Sequence, residues 1–257
     1  MSEIARAFAQ GKAFIAFLTA GDPSLEQTER HILDLVKGGA DLIEIGIPFS
    51  DPIAEGPVIQ AANLRALQAG ASLEGVFELA RRVHAQTPTP LVFLTYLNPV
   101  FHYGYEAFCQ RASVCGVSGL IIPDLPFEEQ GELRPIASAC GLDLITLVAP
   151  TSADRIRRVA ETASGFIYVV SSLGVTGLRS QITTDLRSIV AEIRRHSQTP
   201  VAVGFGVHTP EQAQDIGQFA DGVIVGSKIV SLIGQNPTGA GPELQAYARS
   251  IKDALRD

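Results

Sequence analysis

The sequence has no apolar run approaching the ~20 residues that a helix needs to cross a bilayer. Its opening stretch, MSEIARAFAQGKAFIAFL, has no charged n-region followed by a long apolar segment and a small-residue cleavage site. A cytoplasmic protein without a membrane segment is therefore expected. Positive charge is in short supply: 20 Lys and Arg stand against 27 Asp and Glu, giving a net charge of −7 and a pI of about 5.3. That balance argues against nucleic acid or an anionic membrane as a partner. Cysteine is scarce: Cys109, Cys115 and Cys140 are three in number, with no metal-ligand spacing. Reduced, structural thiols are the expected state. The five histidines form no HxxxH or HxH pair, so no protein-bound metal is expected. No GxGxxG follows the first strand-like run, which weakens a dinucleotide-binding reading.

What the sequence does have is enough apolar material for a large core, 46% of 257 residues, with 18% charged. The length is normal for a single β/α barrel. Apolar strand-like runs begin at Ala13, Leu42, Leu91, Gly119, Leu144, Phe166, Val201 and Gly222. Amphipathic segments separate them, at about 24–37, 58–68, 73–86, 105–115, 127–140, 152–163, 184–196, 210–219 and 242–256, with short helices at 3–10 and after 227. The strands are continuous apolar runs, not alternating ones, as in a parallel sheet covered on both faces. Eight β/α units predict one closed (β/α)8 TIM barrel over residues 1–257, with extra short helices. An open doubly wound sheet is the rival.

In such a barrel, chemistry sits at the C-terminal ends of the strands. Asp22, Glu44, Tyr96, Asn98 and Asp124 all fall at those positions. The stretch DLIEIGIPFSDPIAEGPVIQ, 41–60, stands out. Glu44 interrupts an apolar run, which is costly unless the charge is paired or used. Pro48, Pro52, Gly56 and Pro57 then stiffen a loop that carries Asp51 and Glu55. This is one way to present an acid/base pair to a small substrate. A structurally paired Glu44, with Asp51 and Glu55 in turn and cap roles, fits the spacing equally well. Glycine loops follow the last three strands: Gly174 and Gly177, Gly204 and Gly206, then Gly226-Ser227. Their exposed N–H groups favour a phosphate site over mere tight turns. Lys228 beside them adds charge there or faces solvent. The loop 171–183 is a lid or a plain exposed loop.

The motifs FLTAGDP (17–23), EIGIPFSDPIAEGPVIQ (44–60), TYLNPVFHYG (95–104), GLIIPDLPFEE (119–129), GVTG (174–177), GFGV (204–207) and VGSKIV (225–230) follow one another along nearly the whole chain. Together they resemble the α subunits of tryptophan synthases. The resemblance implies a β/α barrel that cleaves indole-3-glycerol phosphate to indole and glyceraldehyde 3-phosphate. It implies catalytic carboxylates at Glu44 and Glu55, the second usually an aspartate in the family. It implies an indole pocket lined by Phe17, Tyr96, Ile121, Leu147 and Tyr168, and phosphate held by Gly177, Gly206, Gly226 and Ser227, with Thr176 on a closing loop. No cofactor is implied in this chain. Pyridoxal phosphate belongs on a partner β subunit, in an αββα heterotetramer, and the lyase reaction belongs to tryptophan biosynthesis.

The residues suit that chemistry on their own terms. Carbon 3 of the indole must gain a proton and the side-chain hydroxyl must lose one, and a single carboxyl such as Glu44 can do both. A second carboxylate, Glu55, can accept a hydrogen bond from the indole N–H and stabilise the positive charge that develops on the ring. The alternatives are a freestanding lyase, a weakly catalytic allosteric partner subunit, and a barrel acting on another sugar phosphate.

Overall fold

The computed structural model describes residues 2–170, 186–204 and 206–256. Eight parallel strands form one closed barrel: β1 Ala13–Thr19, β2 Leu42–Gly46, β3 Leu91–Leu94, β4 Val117–Ile121, β5 Asp143–Val148, β6 Ile167–Val170, β7 Val201–Gly204 and β8 Gly222–Val225. Pairing of β1 with β8 closes the ring, which removes the open-sheet alternative. The strand-like runs of the sequence are therefore the barrel staves, with ends shifted by one or two residues.

Strand geometry sends alternate side chains to opposite faces. Phe14, Ala16 and Leu18 of β1, and Ala20 just after it, pack outward with the helices, while Ile15 and Phe17 point into the barrel. In β2, Ile43 and Ile45 pack outward and Leu42 inward. Glu44 therefore shares the inner side with Leu42, in register between Phe17 of β1 and Val92 of β3. An ionisable side chain has been threaded into the largely apolar interior of the barrel.

The helices are α1 Glu3–Ala7, α2 Leu25–Lys37, α3 Pro57–Gln68, α4 Leu73–His84, α5 Leu97–Tyr103, α6 Tyr105–Val114, α7 Leu133–Ala139, α8 Ala153–Thr162, α9 Leu186–Arg194, α10 Pro210–Gly217, α11 Ser227–Gln235 and α12 Gly241–Ala254. Short polar side chains start several of them. Ser24, Ser72 and Ser152 accept from the third helical N–H of α2, α4 and α8, and Thr209 forms a full capping box on α10. The plug of the barrel floor is α1, whose Ile4 and Ala7 join the inner cluster.

Two stretches differ from the expectation. Residues 97–103, expected as loop, form α5. The proline at 99 looks like a breaker but lies in the first turn, where its missing N–H costs nothing. The segment 127–140, expected as one helix, is a 3-10 turn at Phe127–Glu129 and then α7, interrupted around Gly131. No described helix is long and apolar enough to cross a membrane. Cys109 and Cys115 are buried and Cys140 half-buried, all three as free thiols.

Candidate active site

A cleft opens at the C-terminal end of the strands. Phe17, Glu44, Glu55, Tyr168, Gly206, Gly226 and Ser227 line it, brought together from five different strand ends. Ile59, Leu94, Pro123, Val207 and Ile224 complete its walls, and sequence reasoning had no signal for these beyond their apolar character.

Glu44 is 1% exposed, and its Oε2 has no hydrogen-bond partner. Burial, reinforced by the charge of Glu55, pushes its pKa up to about 8 from an ordinary 4.5. The side chain thus holds its proton at neutral pH, which is how a buried acid avoids an uncompensated charge. Glu55 sits on the loop after β2, also buried, with its pKa raised to about 7 by burial. Two donors oppose that rise. Asn63 of α3 donates from Nδ2 to Glu55 Oε2 at 2.5 Å, and the Tyr96 hydroxyl bonds the same carboxylate. Tyr96 Oη also accepts from the Ala54 N–H at 3.1 Å, and its ring stacks on Phe49 at 5.2 Å. The loop is thus pinned by a tyrosine that bonds Glu55 but does not itself line the cleft.

Burial, and the charge of Glu44, keep the Tyr168 phenol neutral by raising its pKa well above the usual value. Gly204 ends β7 directly against this ring: a Cβ there would stand 2.6 Å from the Tyr168 hydroxyl. The glycine thus makes room for the tyrosine, and it lies within the sheet, not in a phosphate loop. Gly226 and Gly46 do the same for Phe17, at 3.0 and 2.8 Å. Gly206 is different, with φ near +90°, a conformation that other residues adopt only with strain. After Gly226, α11 begins with no side-chain cap, and N–H groups at a helix start can meet an anion.

Several expected residues lie elsewhere. Ile121 is fully buried in the inner cluster and Leu147 packs against it, both outside the cleft lining. Asp22 takes a bidentate bond from Arg65 of α3, at 2.8 and 2.6 Å. Asp124 accepts the Leu97 N–H at 2.9 Å and so caps α5. Asp51 is exposed, bonded to Ser50. Thr176 and Gly177, with the whole loop 171–183, lie outside the described residues. A concavity much larger than the cleft, about 1090 Å³ against about 40 Å³, is at the opposite end of the barrel. Size points to the wrong end: Lys12, Arg194 and Lys252 there are spent on backbone carbonyls and carboxylates. Among the described residues no group of His, Cys, Asp and Glu is placed to hold a metal.

The model of the tryptophan synthase alpha chain family matches residues 5–256. The chain belongs to that family. It is similar to the tryptophan synthase alpha chain of Lactiplantibacillus plantarum, 53% identical over 99% of this chain and 97% of the relative. It is also similar to that of Lacticaseibacillus casei, 49% identical over 99% and 96%. Among solved structures, Mycobacterium tuberculosis tryptophan synthase superposes with a TM-score of 0.91 at 33% identity, covering 100% and 99% of the two chains. A tryptophan synthase complex from Pyrococcus furiosus gives 0.85 at 33% identity, covering 95% and 99%. As a tryptophan synthase alpha chain, the protein is a lyase of tryptophan biosynthesis that cleaves indole-3-glycerol phosphate to indole and glyceraldehyde 3-phosphate.

Proposed function

We propose that this cleavage is carried by the pair Glu44 and Glu55, with the phosphate of the substrate at Gly206, Gly226 and Ser227. The observation that supports the pairing is the contrast between the two acids. One is protonated at neutral pH with an unpartnered oxygen, and the other is held by two donors in the same cleft. The Glu44 carboxyl gives its proton to carbon 3 of the indole. The ring nitrogen takes up positive charge as it does so, and its N–H donates to the Glu55 carboxylate, whose negative charge stabilises that cation. Glu44, now a carboxylate, removes the proton from the side-chain hydroxyl. The carbon–carbon bond breaks, its electrons restore the aromatic indole, the aldehyde forms, and Glu44 is again protonated. Phe17 and Tyr168 supply the apolar walls for the ring. The phosphate sits against the N–H groups at the start of α11, which no side chain caps.

The chain works with a β subunit, to which indole passes, and pyridoxal phosphate belongs to that subunit. The solved M. tuberculosis and P. furiosus tryptophan synthases support a partnered enzyme over a freestanding one. Ile53, 71% exposed on the β2 loop, and Phe101, 71% exposed on α5, offer apolar surface at the cleft end. A partner seated on that end touches the loop that carries Glu55, so ligand and partner strengthen each other's binding. The test is a titration of β subunit against indole release and against affinity for a substrate analogue, at fixed salt. Both rise, within the roughly 5–150-fold range of such couplings. A formed complex that leaves both unchanged returns the protein to a freestanding lyase.

A further inference from the structure

The family reading assigns work to two carboxyls but leaves open what keeps their protonation states apart. Asn63 lies on the buried face of α3 with Ile59, Ala62 and Ala66, and is itself 3% exposed. An amide in that setting is costly unless its hydrogen bonds are used. Its Nδ2 is spent on Glu55 Oε2 at 2.5 Å. The rest of the local structure holds both partners still. Gln60 Nε2 donates to the Glu55 carbonyl at 2.8 Å, and Arg65 ties α3 to Asp22 through two bonds of 2.8 and 2.6 Å. Glu44 Oε2, across the cleft, has no donor.

We propose that Asn63 is a positioning residue for the reaction: its amide favours the ionised form of the Glu55 carboxylate against its burial, so the proton of the pair resides preferentially on Glu44. This rests on the roles given to Glu44 and Glu55 above. The physical basis is that a donor aimed at a carboxylate favours its charged form, and a nearby negative charge favours protonation of the second acid. Asn63 and Tyr96 bond the Glu55 carboxylate while Glu44 Oε2 has no donor, so the pair is sorted before substrate arrives. The other ionisable groups facing Glu55 are Glu44 of β2, Tyr96 after β3 and Tyr168 of β6. Both phenols are pushed above their usual range by burial. Asp124 reaches Tyr96 from the β4 loop with its Oδ1 on the Leu97 N–H, and Arg65 points to Asp22.

The sign of the effect follows. The reaction needs Glu55 ionised and Glu44 protonated, so turnover rises with pH through the Glu55 step and falls through the Glu44 step. Losing the Asn63 donor raises the first. A Glu55 that is more often neutral repels less, which lowers the second. The bell of rate against pH narrows from both sides, by about one pH unit, the scale of one hydrogen bond to a charged group.

The experiment measures indole release by the full chain across the pH range of the bell, for Asn63→Leu and for Asn63→Gln combined with Glu55→Asp. The leucine removes the amide at nearly constant volume. The double variant moves one methylene from the acid to the amide and keeps the donor. Asn63→Leu is expected to narrow the bell, and the double variant to restore its width. A lower bell with both limbs unmoved in Asn63→Leu makes Asn63 a packing residue and overturns the proposal. If Asn63→Leu does not fold, the double variant decides: wild-type limbs support the proposal, and a narrowed bell overturns it. Glu44→Gln is run alongside. If it keeps normal turnover, the two-carboxyl reading fails and this inference goes with it. If it is inactive while the Asn63→Leu limbs stay put, only this inference fails.

Discussion

Two pairs of acids, one at each end of the barrel, are treated in opposite ways. At the N-terminal end, Asp41 accepts the Phe14 N–H at 2.7 Å and the Lys252 ammonium at 2.7 Å. Asp221, just before β8, accepts the Val201 N–H at 2.9 Å and Arg194 at 2.8 Å. Each carboxylate ties neighbouring strands and neutralises a cation. At the C-terminal end, Glu44 has an orphaned oxygen and Glu55 has only neutral donors, from Asn63 and Tyr96. No described cation pairs with either. Asp41 and Asp221 at the floor are therefore satisfied charges, as Asp22 is at the mouth through Arg65, whereas Glu44 and Glu55 are acids that a ligand would satisfy. Asp41 and Asp221 each stand one residue before a strand, whereas Glu44 lies within β2 and Glu55 on the loop beyond it. The difference lies in what surrounds each carboxyl.

Breaking the mouth is expected to have the largest effect. Glu44→Gln keeps the shape and removes the proton, so turnover falls at least ~10²-fold, the scale of general acid/base catalysis. The same change alters stability in a pH-dependent way. Glu44 has a pKa of about 8 when folded and an ordinary value of 4.5. Between those values the folded chain binds more protons than the unfolded one. Stability therefore falls as pH rises through that window, and the loss is complete above it. Glu44→Gln removes that part of the fall, leaving the smaller slope from Glu55, whose folded value is about 7. Melting temperatures of both proteins across the window check this. A variant that melts in parallel with the wild type at every pH would show that Glu44 is not held protonated by the fold.

How much of this was legible in the sequence depends on the range of the contact. The strands are legible because burial on both faces demands continuous apolar runs such as Phe14–Leu18 and Val201–Val203. The resemblance also put Glu44 and Glu55 forward together, and they share the cleft. The α5 helix is not legible because Pro99 reads as a breaker, and its cap, Asp124, comes from 27 residues away. Asp22 and Asp124 read as site residues because they sit at strand ends. Their partners, Arg65 and the Leu97 N–H, are tertiary and leave no local mark. Asn63 is missed for the same reason: on α3 it is one polar residue in a helix, and only the turn of the β2 loop brings Glu55 to it. Likewise, Gly204 reads like any loop glycine until the Tyr168 ring is found against it.

A smaller effect is expected at the phosphate end of the mouth. Gly206→Asp places a negative charge where phosphate is proposed and adds a side chain at φ near +90°. Gly206→Ala carries the same backbone strain without the charge, so the pair separates the two causes. The aspartate is expected to weaken glycerol phosphate binding roughly tenfold beyond the alanine, as for like charges in a partly exposed site. Calorimetry on both variants reads the difference. Equal binding by the two would move the phosphate away from Gly206.

The smallest effect on chemistry is expected at the floor, and it tests whether the two ends are independent. Asp41 lies three residues before Glu44 on the same chain, roughly 10 Å away at strand spacing. Asp41→Ala leaves the Phe14 N–H without its acceptor and the Lys252 ammonium, whose side chain is only 11% exposed, with the Lys12 carbonyl alone. Unsatisfied groups of this kind cost about 1–3 kcal/mol, so the melting temperature drops. The register of β2 against β1 rests on five paired positions from Leu42 to Gly46, all beyond the altered residue. Glu44 therefore keeps its place opposite Phe17, and turnover of the folded protein stays within about twofold, since no donor or charge around Glu44 or Glu55 changes. Indole release and thermal melting on the same sample give both numbers. A tenfold loss of turnover in a folded Asp41→Ala protein would mean that the floor sets the geometry of the mouth, and the division between structural and chemical acids would have to be drawn along each strand, not between the two ends.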